Sequence, residues 1–179
     1  MTADLLPPAA VPVALAEAKA FLRIDDGGED ALIAGFVRTA TALAEAFTGS
    51  RLLVRDVTDT VVPVATWQRL GAAPVVAITG VAVAGMALAG SAFESDIDTA
   101  GNGWVRLIAP GAGTRPVVTY RAGLAADWNS VPEPLRQGIV RLVSHLHAHR
   151  DAADAGGAPA AVAALWRPWR RLRLGGGRG

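Results

Sequence analysis

The sequence predicts an α+β, mainly helical fold: helices from the two chain ends form an antiparallel bundle, and a small antiparallel β unit is inserted between them. Two blocks with helical periodicity, at about residues 12–48 and 131–150, flank about eighty residues that are rich in β-branched side chains, Gly and Pro. We predict one domain over residues 1–158, followed by a short helix and a basic C-terminal arm over residues 159–179.

The N-terminal block predicts two helices, at about residues 12–23 and 29–48, that pack against each other. In the second helix, four large apolar side chains recur three, four or seven residues apart and predict the stripe that faces the core. These are Leu32, Phe36, Leu43 and Phe47, flanked in the same stripe by Ile33, Val37, Ala40 and Ala44. Gly49 stands where a C-terminal glycine cap is expected.

The chain changes to strand-type sequence at about residues 51–123. Runs of β-branched residues separated by turns such as GNG and PGAG predict four to six short antiparallel strands. The most apolar stretch, residues 74–90, is interrupted by Gly80 and Gly85. It therefore predicts strands and turns rather than a membrane span.

The C-terminal block predicts a helix over about residues 131–150, in whose first turn Pro132 and Pro134 are well tolerated. Its apolar stripe is predicted to consist of Leu135, Ile139, Leu142 and Leu146. Pro159 is expected to open a final short helix, and Pro168 to end or kink it.

Composition limits the function classes. Hydrophobic residues make up 51% of the chain and charged residues 18%, which excludes a disordered chain. The formal net charge of +1 gives no support for nucleic-acid or membrane binding by the chain as a whole. Cysteine is absent, which excludes disulfides, thiolate metal sites and cysteine nucleophiles. The N-terminus lacks the positive region of a secretory signal, so we predict a soluble, intracellular protein.

A run of three histidines is the first candidate metal site. His145 and His149 lie four residues apart and share a helix face, whereas His147 points elsewhere. Because a metal site needs a third ligand, we predict surface or interface histidines and no bound metal. A metal-dependent enzyme built on His145 and His149 is the weakest of the functions considered.

The segment SDIDTAGNG places Asp96, Asp98 and Asn102 close together and is the second candidate metal site. Its spacing differs from a calcium-binding loop, and a terminal bidentate Glu is missing. The Gly-Asn-Gly sequence instead predicts a polar hairpin turn. With no Ser-His-Asp arrangement and no phosphate-binding loop, the sequence predicts neither an enzyme nor a cofactor.

The C-terminal segment carries the most distinct charge feature. From residue 160 onward there is no acidic residue, and Trp166 and Trp169 are interleaved with arginines. Three interpretations compete: a solvated tail, a DNA-contacting arm, and a protein-docking arm, since Trp and Arg dominate interface hot spots. We favour a docking arm. Its predicted contact residues are Trp166, Arg167, Trp169, Arg170, Arg171 and Arg173.

Five segments, in this order, resemble the head–tail connector (adaptor) proteins of long-tailed phages and gene transfer agents. They are LAEAKAFLRID with the following helix that ends in AFTG; AAPVVAITGVAVAG; SAFESDIDTAGNGWVRL; VVTYRAG with VPEPLRQGIVRLVSHLHAHRD; and PAAVAALWRPWRRLRL. The resemblance covers nearly the whole chain. Two features depart from the family pattern: the front helix lacks the usual hydroxyl cap, and the ending has two Trp and a dense run of Arg.

The resemblance implies a structural subunit of a phage-like particle, without catalysis, assembled in the bacterial cytoplasm. It implies a ring of about twelve copies at the head–tail junction, between the portal protein and a tail-side stopper or head-completion protein. Double-stranded DNA would pass through the lumen of the ring, and no membrane is involved. Within such a particle, we expect the predicted arm, Trp166 through Leu174, to dock on the portal, because its Trp and Arg side chains supply contact area and hydrogen-bond donors for an acidic surface.

A second function class stays open beside the structural connector. The alternative is a small DNA-binding or DNA-packaging accessory protein that uses the Arg-rich C-terminal tail. A salt series distinguishes the two, because phosphate binding weakens steeply as salt rises, whereas docking centred on Trp weakens much less.

Overall fold

The computed structural model describes most of the chain, and its described residues fall into two compact units. The described ranges are 10–109, 111, 113–150 and 158–171, with side chains described from residue 14 onward. The first unit, here the helical unit, comprises Met1–Leu52 and Asp127–Gly179. The second, here the sheet unit, comprises Leu53–Ala126.

The helical unit contains four α-helices and one 3₁₀ turn among its described residues. They are α1 (Ala10–Leu22), α2 (Asp30–Thr48), α3 (Glu133–Ala148), α4 (Ala160–Trp166) and the 3₁₀ turn Arg167–Trp169. Helix α2 packs against α1, α3 and α4, and α3 also packs against α1 and α4. Helix α2 therefore contacts each of the other three helices.

Helix α2 ends at the predicted glycine cap but presents a different face to the core. Gly49 is left-handed, with φ 68°, and its N–H donates to the carbonyl of Glu45 at 2.9 Å. The predicted core stripe is only partly right: its flanking residues are buried, but Leu32 is 41% exposed, Leu43 is 44% exposed, and Phe36 and Phe47 are only half-buried. The buried face is the adjacent one. It consists of Ile33, Val37, Ala40, Ala44 and Thr48, with Thr41 beside them.

The reason for this shift is that α2 carries apolar residues around most of its circumference. Ala40 and Ala44 are small, so a neighbouring helix can approach their side of α2 closely. In α3, by contrast, only one apolar stripe is available. Leu135, Ile139 and Leu142 are buried there as predicted, whereas Leu146, the fourth residue of the predicted stripe, is only half-buried.

The described residues of the sheet unit form seven strands, all paired antiparallel. They are β1 (Arg55–Thr60), β2 (Gln68–Arg69), β3 (Val75–Val83), β4 (Met86–Ala87), β5 (Phe93–Ile97), β6 (Gly103–Leu107) and β7 (Val117–Ala122). One sheet has the order β1-β7-β3-β4 and the other the order β2-β6-β5. A hydrophobic cluster of this unit includes Leu70, Val75, Val81, Val105, Leu107, Val118 and Tyr120.

The predicted fold class, a mainly helical bundle with a small β insertion, is wrong. The described residues form a mixed α/β structure that contains four α-helices and two antiparallel sheets, and the sheets have a buried cluster of their own. The expectation of an inserted antiparallel β region is partly right, but the described part of that region has seven strands rather than four to six. The two-residue strands β2 and β4 are too short to give a period-two signal, which is why they escape sequence analysis.

A buried tyrosine ties two segments of the sheet unit to β7. Tyr120 is fully buried, and its hydroxyl donates to Asp59 Oδ2 at 2.7 Å while accepting from the backbone N–H of Ala72 at 2.9 Å. The same Asp59 oxygen accepts from the N–H of Gly71 at 2.6 Å. The turn before β3 is thus held by side chains rather than by a strand ladder.

Candidate docking surface at the C-terminal segment

The C-terminal segment is a short helix followed by a tighter turn. Pro159 precedes α4, and its carbonyl accepts from the N–H groups of Val162 and Ala163. Helix α4 ends at Trp166 because Pro168 has no N–H and disfavours helical geometry in the residue before it. Arg167–Trp169 therefore forms a 3₁₀ turn, and the chain continues in an extended conformation at Arg170.

Trp166 fixes this segment to the helical unit. The side chain is only 1% exposed, and its Nε1–H donates to the carbonyl of Leu135 at 3.3 Å. The indole lies directly over Gly138, where a Cβ would be 2.1 Å from Nε1. It also contacts Phe47, with ring centroids 5.9 Å apart. Trp166 is therefore a core side chain in this structure, and a direct docking role for it stays a prediction.

The residues after the 3₁₀ turn run past the C-terminal end of α2. The N–H of Arg171 donates to the carbonyl of Thr48 at 2.8 Å, so it satisfies a carbonyl that has no partner within the helix. The Arg170 guanidinium lies 5.8 Å from the centre of the Phe47 ring. Positive side chains are favoured at this end of a helix, because the carbonyl dipoles leave partial negative charge there.

The predicted docking residues thus differ in their environment. Arg167 and Arg170 are exposed, and Trp169 and Arg171 are half-buried. Arg173 lies outside the described residues. The structure brings Arg167, Trp169 and Arg170 together on one short surface segment that Trp166 anchors from below.

The three histidines near the end of α3 are held by different partners. His147 Nε2 lies 2.8 Å from Glu29 Oε2, and Arg150 Nη1 lies 3.2 Å from Glu29 Oε1. The rings of His145 and His149 face each other, with centroids 4.3 Å apart. Within the described ranges, no group of three or more His, Cys, Asp or Glu residues is placed to hold a metal ion.

The Glu29, His147 and Arg150 cluster was missed by sequence reasoning. Glu29 precedes α2, whereas the two basic residues lie at the end of α3, so only the packing of the two helices brings them together. The cluster links the start of α2 to the end of α3.

The predicted polar hairpin turn between β5 and β6 is confirmed. Asp98 Oδ1 accepts from the N–H of Asn102, and Oδ2 accepts from the Asn102 side-chain amide, both at 2.8 Å. Trp104 Nε1–H also donates to Oδ2 at 3.1 Å. These hydrogen bonds, led by the one from the Asn102 side chain, lower the pKa of Asp98 from 3.8 to about 2. The carboxylate is fully used within its own turn.

An exposed loop of the sheet unit at residues 62–67 carries apolar side chains and was also not predicted from the sequence. The Gln68 side chain closes this loop: it accepts from the N–H of Val62 and donates to the carbonyl of Val62, both at 2.8 Å. Trp67 is 43% exposed, and the Arg106 guanidinium lies 5.3 Å from its ring centre. The loop is thus closed by side-chain contacts although it lies on the surface.

Helix α2 is the one element among the described residues that is long and apolar enough to cross a membrane, judged by length and composition alone. A buried helix of a soluble protein passes the same test. Only 39% of the apolar window is buried within this chain. The unburied part includes the face that carries Leu32 and Leu43.

Comparison with known proteins shows which proteins this chain is similar to. Residues 12–84 match the family described as phage gp6-like head-tail connector protein. None of the curated proteins compared matches the chain. The resemblance to head–tail connector proteins that the sequence predicts is confirmed by this match.

Solved structures match over essentially the full length. The neck of an empty GTA particle computed with C6 symmetry matches with 29% identity and a TM-score of 0.76, over 100% of this chain and 97% of that chain. The virion of a native gene transfer agent (GTA) particle matches with 26% identity and a TM-score of 0.76, over 97% and 96%. The neck of a native GTA particle computed with C12 symmetry matches with 25% identity and a TM-score of 0.75, over 100% of both chains.

Proposed function

We propose that this chain is a structural head–tail connector subunit in the neck of a phage-like particle of the gene-transfer-agent type. The observation that carries the proposal is the full-length match to GTA neck structures at 25–29% identity, which accompanies the connector-family match over residues 12–84. The role requires no catalysis, and we propose no enzymatic activity. The particle would be assembled in the bacterial cytoplasm, without a membrane partner.

The connector is proposed to work as a ring of twelve copies. The six- and twelve-fold symmetries applied to the matched necks support this number. A closed ring needs each subunit to use two different faces, one toward each neighbour. In the proposed arrangement the ring lies between the portal protein and a tail-side stopper or head-completion protein, and double-stranded DNA passes through its lumen.

The portal contact is assigned to the arm that begins after the connector domain, at residues 159–179. Arg167 and Arg170 are exposed, and their guanidinium groups can bind carboxylates of an acidic surface in a bidentate manner. Trp169 supplies aromatic contact area, as is typical of interface hot spots. Trp166 is proposed to act as the anchor that positions these side chains. Arg171 and Arg173 complete the proposed docking set.

The arm is best tested by charge reversal rather than by truncation, because removal of Trp166 would also open the core beside Gly138. We expect Arg167→Glu/Arg170→Glu to remain folded by far-UV circular dichroism, since both side chains are exposed. Particles made with this variant should lack the connector in the neck and fail to join tails. Arg115→Glu/Arg121→Glu is the matched control, because it reverses the same number of exposed charges in the sheet unit.

Imaging of particles, with quantification of the connector, separates the outcomes. Normal occupancy of the neck by the Arg167→Glu/Arg170→Glu protein would refute the docking role. Normal occupancy combined with loss of packaged DNA would support the alternative, a DNA-binding accessory protein. The alternative also predicts that binding to DNA weakens steeply with salt. Absence of the wild-type protein from the neck would refute the connector function itself.

A further inference from the structure

Helix α2 carries a second apolar face that the helical unit leaves open. At about 100° per residue, seven of its residues fall on one side over about four turns. They are Leu32, Gly35, Phe36, Thr39, Leu43, Ala46 and Phe47, and none of them is charged. We refer to these seven residues as the outer face of α2.

The outer face offers almost no hydrogen-bonding groups to water. The only side-chain polar atom in the set belongs to Thr39, whose hydroxyl donates to the carbonyl of Gly35 at 3.1 Å. At Gly35 itself there is room for a close neighbour, since the nearest atom to a Cβ built there is Arg38 Nη2 at 3.8 Å. An apolar surface of this kind on a helix needs a cover, because its exposure to water is unfavourable.

Two aromatic side chains hold the outer face in a defined shape. Phe36 packs edge-on against His147, with ring centroids 6.4 Å apart. Phe47 packs against Trp166 at 5.9 Å, beneath the Arg170 guanidinium. Between them Leu43 projects with 44% of its surface exposed. A surface with fixed aromatic side chains loses less conformational entropy on binding than a mobile one.

We propose that the outer face of α2 is one of the two faces through which copies of this chain contact each other in the ring. This inference rests on the proposed connector function. The occupant is a second copy of the chain, because the matched necks were computed with six- and twelve-fold symmetry. A closed ring of that kind needs a contact between two different faces, so the neighbour covers the outer face with a region other than its own α2.

A lipid surface fits the structure less well. The adjacent side of α2 is packed inside the helical unit, where Ile33, Val37 and Ala40 are buried. Glu45 is also buried there, and its carboxylate accepts from the N–H of Leu52 at 2.9 Å and pairs with Arg51 at 3.0 Å. Insertion of α2 across a membrane would take this carboxylate and the core face into lipid, which is costly. A second protein surface covers the outer face without disturbing either.

Cross-linking in particles tests which molecule covers the face. The chain has no cysteine, so a single introduced cysteine gives a unique attachment point for a thiol-linked photo-cross-linker. We expect Leu43→Cys particles to yield cross-links between two copies, from residue 43 to a peptide outside α2. Arg38→Cys is the control, since Arg38 is exposed on the same helix but lies outside the outer face. It should cross-link copies at least tenfold less.

Three results would overturn the inference. Residue 43 could cross-link only to a portal or tail-side protein, only to α2 of another copy, or to no protein at all. Because these particles are selected for a connector-containing neck, such results would leave the connector function intact. Loss of the wild-type protein from the neck would instead count against the function on which the inference rests.

Substitution on the outer face gives an independent test. Leu32→Asp/Leu43→Asp should leave the free protein folded by far-UV circular dichroism, because both side chains are already partly in water. Burial of a leucine side chain at a contact stabilises the complex, so the loss of each one should weaken the association between copies about tenfold to a hundredfold. The ring should therefore be missing from particles, whereas Val62→Asp, at a site that is 60% exposed in the sheet unit, should retain it. A normal ring with the double variant would refute the inference.

Vesicle flotation checks the membrane alternative. Wild-type protein should stay with the soluble fraction when mixed with phosphatidylethanolamine–phosphatidylglycerol vesicles. Flotation of the wild type that Leu32→Asp/Leu43→Asp abolishes would identify the outer face as a lipid-binding surface and overturn the proposal.

Discussion

Replacing Gly138 by alanine should destabilise the helical unit, although alanine favours helices. Gly138 lies within α3 and is buried beneath the indole of Trp166. A Cβ at this position would lie 2.1 Å from Nε1 and 2.8 Å from both Cδ1 and Cε2 of that indole. These separations are far below van der Waals contact, so the tryptophan has to move.

The magnitude follows from two opposing terms. In a helix interior, alanine is favoured over glycine by about 1 kcal/mol. Against this, overpacking of a filled core costs about 1–3 kcal/mol. Displacement of Trp166 also breaks its hydrogen bond to the carbonyl of Leu135, which contributes about 1 kcal/mol. We therefore expect Gly138→Ala to lower the free energy of unfolding by about 1–3 kcal/mol, with the core term outweighing the helix propensity.

Denaturant unfolding followed by far-UV circular dichroism measures this, because the described α-helices all belong to the helical unit. Gly35→Ala is the matched control, since the nearest atom to its new Cβ would be 3.8 Å away. It should raise the free energy of unfolding by up to about 1 kcal/mol. In a Trp166→Leu background, Gly138→Ala should lower the free energy of unfolding much less than it does in the wild type. An unchanged cost in the Trp166→Leu background, or no cost at all, would refute the packing argument.

Two further predictions concern the sheet unit. Tyr120→Phe should lower the free energy of unfolding by about 1–3 kcal/mol, because the buried N–H of Ala72 loses its acceptor; thermal and denaturant unfolding would measure the change, and unaltered stability would contradict the role of the hydroxyl. Asp98→Asn should lose a stabilising contribution that depends on pH. Since the folded pKa of Asp98, about 2, lies below its ordinary 3.8, the contribution is complete above about pH 4 and disappears as the pH falls toward 2. Unfolding midpoints of wild type and variant should therefore converge on acidification, and a constant difference would argue against this origin.

The features predictable from the sequence are those set by local chemistry. Gly49 was identifiable as a helix cap because few residues other than glycine adopt its left-handed conformation. The Asp98 hairpin followed from its turn residues, and the core stripe of α3 from the single set of apolar positions that the helix offers. In each case the signal lies within a few residues of the chain.

The features that the sequence did not reveal depend on which surfaces meet. Periodicity showed that α2 is a helix, but it could not show which of two neighbouring apolar stripes faces the core, and the choice of Leu32 and Leu43 was wrong. The predicted fold class is wrong for a related reason. Two-residue strands can be recognised only by the strands with which they pair, and that pairing is not visible in the sequence. The burial of Trp166 had one signal in the sequence. A glycine inside a helix, such as Gly138 in α3, often marks a site of close packing.

Phe47 belongs to one proposed contact surface and contacts residues of the other, so it connects the two physically. It lies on the outer face of α2, and it also contacts Trp166 and the Arg170 guanidinium of the proposed arm. Binding of the arm to a portal would restrict Arg170 and, through it, the Phe47 ring. The neighbouring subunit would then bind a surface that is already ordered, so this second contact would lose less conformational entropy. The two contacts are therefore cooperative.

This coupling predicts that the free protein is a monomer and that the ring closes on the portal. Light scattering of the isolated chain should give a monomer mass, whereas imaging of particles should show the closed ring. Arg170→Ala removes the cation above Phe47 but leaves the Leu43 contact untouched. It should therefore lower the number of copies found in the ring, while the copies that do bind should still cross-link to one another with little loss of yield. Arg38→Ala, an exposed arginine on α2 outside the outer face, is the control and should change neither. Stable rings of the isolated wild type would show that the subunit faces suffice alone, and the coupling through Phe47 would then be wrong.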